Sequence, residues 1–311
     1  MQMIINILNS MPGAVAQGLI WGIMAIGVYI TYRILDIADL TVDGSICTGG
    51  AVCVMMMISG FDVTTSIIAA IIAGMLAGLV TGILHTFMGI PAILAGILTQ
   101  LGLYSVNLKI MGKANQALNL KKYDLIVSLQ YIRNVPFYKN TILIIAVFSL
   151  VLISILYWFF GTERGCSIRA TGSNLNMSRA QGINTNFNTV LGLMLSNGIV
   201  ALSGALLAQY QGFSEVQMGR GAIVIGLAAV IIGKALFGKL FKNFYLQLLG
   251  VSLGGVVYYV VYQTVICLGL DPDLLKLLSS VVVAIFLAVP YWKKKYFSKP
   301  IKGGAVNART V

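Results

Sequence analysis

About nine stretches of this chain stay apolar over the length needed to cross a bilayer, and very few folds are open to such a sequence. A hydrocarbon core of about 30 Å takes ~20 residues of helix. Backbone groups inside lipid have no water to bond, so only helices or closed barrels can span it. The apolar stretches run over residues 13–32, 44–60, 64–88, 91–111, 140–160, 189–209, 221–237, 244–267 and 274–292. The expectation is an all-α, polytopic membrane protein of about nine transmembrane helices, a single domain over 1–311. The stretch 221–237 is short and Gly-rich and suits a broken or re-entrant helix.

Composition supports the same class. Hydrophobic residues make up 58% and charged residues 10%, against roughly a quarter charged in soluble domains. Mean hydropathy is +0.91. The net charge of +12 does not point to nucleic acid, because the cations sit between apolar runs and in the tail, where topology signals belong. Lys293, Lys294, Lys295, Lys299, Lys302 and Arg309 put the tail 293–311 in the cytoplasm. Alternation then places Lys234, Lys239 and Lys242 inside, with Arg164, Arg169, Arg179 and Arg33. The external stretch 112–139 is the exception, being rich in Lys and Arg, and it could form part of a platform for an external partner.

Little in the sequence suits chemistry. Cys47, Cys53, Cys166 and Cys267 form no CxxC pair, and His85 is the lone histidine, so neither a disulfide framework nor a catalytic metal is expected. Asp36, Asp39 and Asp43 cluster near Arg33; they read as a helix entrance, acidic groups favouring the positive end of the following span. No carboxylate lies centrally in an apolar segment, which counts against a proton- or sodium-coupled carrier. Neither Gly233-Lys234 nor Gly238-Lys239 is followed by Ser or Thr, so no phosphate-cradling loop exists. An ATP-driven process would need ATP and Mg in another chain.

Polar residues inside the spans are either pathway lining or interhelical glue. The candidates for lining are Asp43, Gln100, Asn107, Asn197, Tyr259, Tyr262 and Gln263. Gly18/Gly22, Gly74/Gly78/Gly82 and Gly250/Gly254 recur every four residues and favour tight helix packing within one subunit. The openings 39–45 and 215–221 hint at an inverted repeat.

One polar loop stands apart, residues 161–187. Asn174 is placed to cap a short helix over about 175–182. Two turns of helix are not stable alone in water, so such a helix must pack on something. Gly165 and Gly182 are candidates for flexible ends of a lever.

The loop residues Arg169-Ala170-Thr171-Gly172 and Ala180-Gln181-Gly182-Ile183-Asn184, with Ser203 to Ala208 and the stretch Asp39 to Ser45, resemble bacterial ABC importer permeases for branched-chain amino acids and ribose-type sugars. The form of the Asp39–Ser45 stretch is similar to the subgroup paired with tryptophan- or tyrosine-type binding proteins. The resemblance implies a permease with a cytoplasmic coupling helix, its docking residues being Gly165, Arg169, Gly172, Asn174, Met177, Arg179, Ala180 and Gly182. It implies a separate cytoplasmic ATPase, a second permease copy as a homodimer, an extracellular solute-binding protein, and a bacterial plasma membrane. An amino acid, aromatic by preference, is the implied substrate. A sugar or nucleoside importer and a secondary transporter are the alternatives.

Overall fold

A computed structural model describes residues 2–119, 123, 125–129, 140–238, 240–267, 277, 280–281, 284–285 and 288. The chain is mostly helical. Helix α1 (Gln2–Tyr29) carries Pro12 and runs on into a π-helical turn over Ile30–Ile34. Then come α2 (Val42–Ile58), α3 (Val63–Thr86), α4 (Ala92–Met111) and α5 (Thr141–Gly161). Two polar helices follow, α6 (Glu163–Ser173) and α7 (Leu175–Ala180). The series ends with α8 (Thr185–Gln211), α9 (Ala222–Phe237) and α10 (Phe244–Cys267).

Among the described residues, six helices are long and apolar enough to cross a membrane: α1 from Ser10 with its π-helical turn, α3, α4, α5, α8 and α10. Helices α2 and α9 are shorter, 17 and 16 residues. With these two, eight of the nine expected apolar segments are helical among the described residues, six of them of spanning length. The segment 274–292 falls mostly outside the described residues, as does the whole tail 293–311. The all-α expectation is corrected in one place. Strand β1 (Asn115–Ala117) pairs antiparallel with β2 (Phe213–Glu215), where the loop after α4 meets the turn after α8. This ties part of the basic 112–139 stretch down; Lys121, Lys122, Arg133 and Lys139 lie outside the described residues.

Helix α8 is the axis, buried along most of its length. Small residues let its neighbours close on it. A Cβ at Gly74 would collide with the Asn197 carbonyl, one at Gly78 with the Leu193 carbonyl, and one at Gly49 or Gly204 would overlap backbone between α2 and α8. Backbones this close gain packing that lipid cannot supply. Gly22 and Gly254 do the same for α10, against α1 and α9 respectively. The glycine stripes thus serve contacts within one subunit, as their spacing predicts.

Directions follow from these contacts. Helix α1 runs antiparallel to α8, with the Tyr210 hydroxyl on the Gly13 carbonyl at one end and the Ser196 hydroxyl on the Gly27 carbonyl near the other. Helix α2 runs with the second half of α8, from Ser45 beside Asn197 to Cys53 beside Gln209. Helix α9 runs the other way, alongside the end of α1, with Gly226 against Met24 and Val28. The two short helices begin at a shared junction half-way along α8 and diverge.

Candidate functional site

The junction is built from buried polar groups. After the π-helical turn the chain doubles back through Asp36, whose φ of 57° is left-handed, and reaches Asp39, only 2% exposed. Asp39 accepts the Thr41 N–H at 2.9 Å on one oxygen and the Asn197 amide at 2.7 Å on the other. Asn197 also donates to the Leu193 carbonyl and accepts the Ser45 hydroxyl at 2.6 Å, so both its N–H donors and its oxygen have partners. Thr41, Thr81 and Thr99 form a chain of hydroxyls at 2.7 and 2.9 Å that links the start of α2 to α3 and α4. Unpaired polar groups at this depth are costly, and here each one named has a partner.

Asp43 serves more than its own helix. Its two oxygens accept the N–H groups of Gly221 and Ile223, both at 2.9 Å, which closes the open end of α9. Gly221 has a φ of 86°, a conformation that suits glycine. Asp43 does stand in the first turn of α2 and Asp39 just before its N-cap, Thr41, as an acidic helix entrance would, but the Asp43 oxygens bond the start of α9 as well as lying at the positive end of α2. The sequence also placed no carboxylate centrally, whereas the path back from the π-helical turn sets Asp39 beside Asn197, in the middle of α8, and Asp43 against the start of α9. Only the three-dimensional path shows that depth.

The seven lining candidates divide into three groups. Asp43, Gln100 and Asn107 share one cleft, of about 230 Å³, with Tyr104 and Arg220. Asn197 lies behind it, absorbed in the Asp39 network. Tyr259, Tyr262 and Gln263 sit on α10, where Tyr259 stacks on Trp21 at 5.7 Å and Tyr262 meets Tyr259 edge-on at 5.8 Å. Tyr259 therefore packs α10 to α1. Sequence reasoning missed Arg220 and Tyr104 as neighbours of Asn107; an Arg just ahead of a short Gly-rich span was the available signal.

The polar loop forms two helices, joined rigidly. The Thr162 side chain caps α6 and the Asn174 side chain caps α7, accepting the Met177 N–H at 3.0 Å. Ile168 on α6 is fully buried and the Arg169 guanidinium lies 5.2 Å over the Phe244 ring. Gly165 is not a flexible end: a Cβ there would overlap Phe159 and Phe160 backbone, so the residue permits a tight corner between α5 and α6. Gly172 has the same duty against the Ile34 carbonyl of the π-helical turn. Gly182 does differ, with φ of 78° and open space, ending α7 in the left-handed conformation.

Arg179 folds back onto α8, donating to the Thr185 hydroxyl at 2.9 Å and reaching Asn186 at 3.5 Å. It braces α7 and does not reach outward as a free cation. What faces outward is apolar: Met177 is 60% exposed, with Leu175 and Phe187 about half exposed beside it. Ala180 is exposed too. The Arg164 guanidinium lies 5.9 Å from the Phe187 ring centre. A rigid polar step thus carries an uncovered apolar tip.

Comparisons with known proteins agree over most of the chain. Residues 10–289 match the family described as branched-chain amino acid transport system / permease component. The tyrosine transport system permease protein of Clostridioides difficile (strain R20291) is 37% identical over 90% of this chain and 91% of its own length. An uncharacterised protein of Rickettsia prowazekii (strain Madrid E) is 33% identical over 90% of this chain and 98% of its own. The autoinducer 2 import system permease protein LsrC of Salmonella typhimurium (strain LT2) is 33% identical over 28% of this chain and 25% of its own length.

Proposed function

The chain belongs to the family of branched-chain amino acid transport system permease components, and from that premise we propose that it is the membrane subunit of an ATP-driven importer for an amino acid, aromatic by preference. As a family member it is a multi-pass membrane protein and a transport subunit, not an enzyme. The finer reading is ours. Two copies of the chain, each one transmembrane domain, enclose the pathway in the bacterial plasma membrane, with the C-terminus in the cytoplasm. A separate cytoplasmic ATPase binds ATP and Mg, and an extracellular solute-binding protein delivers cargo. The 37% identity to a tyrosine transport permease supports the aromatic preference.

The observation that carries the reading is the α6–α7 step. Its apolar tip, Leu175, Met177 and Phe187, is uncovered, while Gly165 and Gly172 lock its base to α5 and the π-helical turn. A lever must be stiff to pass a movement on, and close-packed backbone gives that stiffness. In this reading the ATPase grips Met177 and Ala180, and its closure tilts α5 and α8 through α6. Gly165, Arg169, Gly172, Asn174, Arg179 and Gly182 shape the step. The divergence of α2 and α9 from one junction supports an inverted repeat, with the two short helices as corresponding elements.

The test replaces Met177 or Ala180 by Glu in proteoliposomes that hold permease, ATPase and binding protein. ATP-driven uptake and stimulated hydrolysis should fall at least tenfold together. Unchanged values would refute the docking assignment. A secondary transporter, for which the mid-depth carboxylates Asp39 and Asp43 speak, would instead import without ATP. A sugar or nucleoside cargo is the second reading, and ligand binding by the partner solute-binding protein decides between the two.

A further inference from the structure

Arg220 stands where a cation is hard to place. It precedes α9 at the junction half-way along α8, it is exposed, and it lies in no ion pair among the described residues. A guanidinium at that depth cannot face hydrocarbon without a large cost, so the surface it lies on must face water or a polar path. That surface is the cleft between α2, α4 and the segment ahead of α9.

A second observation is independent of the first. Asn107 is 1% exposed and lines the same cleft; its amide reaches the Gly44 carbonyl at 3.5 Å, while its Oδ1 has no hydrogen-bond partner. A buried acceptor left open is expensive unless something visits it. Nearby, each Asp43 oxygen already takes one backbone N–H and keeps lone-pair capacity. The cleft therefore offers a free cation, an open acceptor and a negative charge, with the Tyr104 ring alongside.

We propose that this cleft is a transit site for a zwitterionic α-amino acid, Arg220 holding the carboxylate while Asn107 Oδ1 and the Asp43 charge hold the ammonium. The inference rests on the importer reading and adds what the cargo must carry. A neutral sugar has no use for paired charges of opposite sign. Tyr104 gives an aromatic side chain a face to lie on. The volume, about 230 Å³, is below the roughly 300–1,000 Å³ of pockets that enclose a small molecule. A cargo that must leave again needs such loose binding.

The experiment is ATP-driven uptake of radiolabelled L-tyrosine by proteoliposomes holding permease, ATPase and loaded binding protein. Arg220→Gln should lower the rate at least tenfold, and Arg220→Lys should restore part of it. Lys109→Gln, exposed at the end of α4 and outside the cleft, should match wild type. In Arg220→Cys, coupling a cationic aminoethyl thiol should raise uptake several-fold and coupling an anionic sulfonatoethyl thiol should not, measured against wild type given the same reagents. Both arms use one folded protein. Wild-type rates in Arg220→Gln, or equal effects of the two adducts, would overturn the transit site alone. A wild type that imports no L-tyrosine with ATP would overturn the importer reading and the transit site with it.

Discussion

Asn197 donates its side-chain amide to the buried carboxylate of Asp39 at 2.7 Å, across 158 positions of sequence. The bond fixes the re-entrant approach to α2 against the middle of α8, and the junction depends on it. A hydrogen bond to a charged group is worth roughly 1.5–3 kcal/mol, and more is lost when the charge stays buried. Asn197→Leu should therefore lower the thermal midpoint of the detergent-purified protein by several degrees and reduce uptake at least tenfold. A melting curve that overlays wild type would show that the network does not hold the fold.

Asp43 closes α9 from another helix. Asp43→Ala frees the N–H groups of Gly221 and Ile223, and loss of such a cap costs about 0.5–2 kcal/mol. Asp43→Asn keeps one accepting oxygen and should lose less. Hydrogen exchange of the first turn of α9 measures both: faster exchange in Ala than in Asn, and slowest in wild type.

Two glycines in the polar step should behave oppositely. Gly172→Ala drives a methyl into the Ile34 carbonyl, and overpacking of this kind costs about 1–3 kcal/mol. Gly182→Ala meets open space and bears only the strain of a positive φ, about 1 kcal/mol. ATP-driven uptake should fall at least tenfold in the first and less than twofold in the second. Equal losses would mean that the step bends at Gly182 instead of moving as one piece with α5 and the π-helical turn.

Asn174→Ala removes the cap of a six-residue helix, at about 1 kcal/mol. Because α7 lies at the surface, the membrane domain should melt as wild type does. The stimulation of ATP hydrolysis by loaded binding protein should weaken several-fold. A drop in melting temperature with normal stimulation would place α7 in the core instead.

What the sequence made legible was whatever depends on neighbours along the chain. Apolar length found the long helices, four-residue glycine spacing found the close packing on α8, and Asn174 marked the start of α7. What it hid depends on the path of the backbone. Asp43 reads as the first turn of α2 yet caps α9, 180 positions away from Ile223. Gly165 reads as freedom, yet it serves, like Gly172, to admit a neighbouring backbone. Tyr259 and Tyr262 share a helical face with Gln263, but the face is met by Trp21 and by other tyrosines, so packing claims it. Arg220 carried a signal, a lone cation before a short Gly-rich span, but only the cleft gives it neighbours.

The central claim is that α7 is held from the cytoplasm by an ATPase. A photo-activated benzophenone side chain in place of Met177, irradiated in membranes that also contain the partner ATPase, tests it most directly. The account predicts a covalent adduct with the ATPase that depends on Met177 being the labelled position and is absent when the label replaces Trp158, exposed on α5. Labelling of position 177 by a membrane-impermeant reagent added outside intact cells would contradict it.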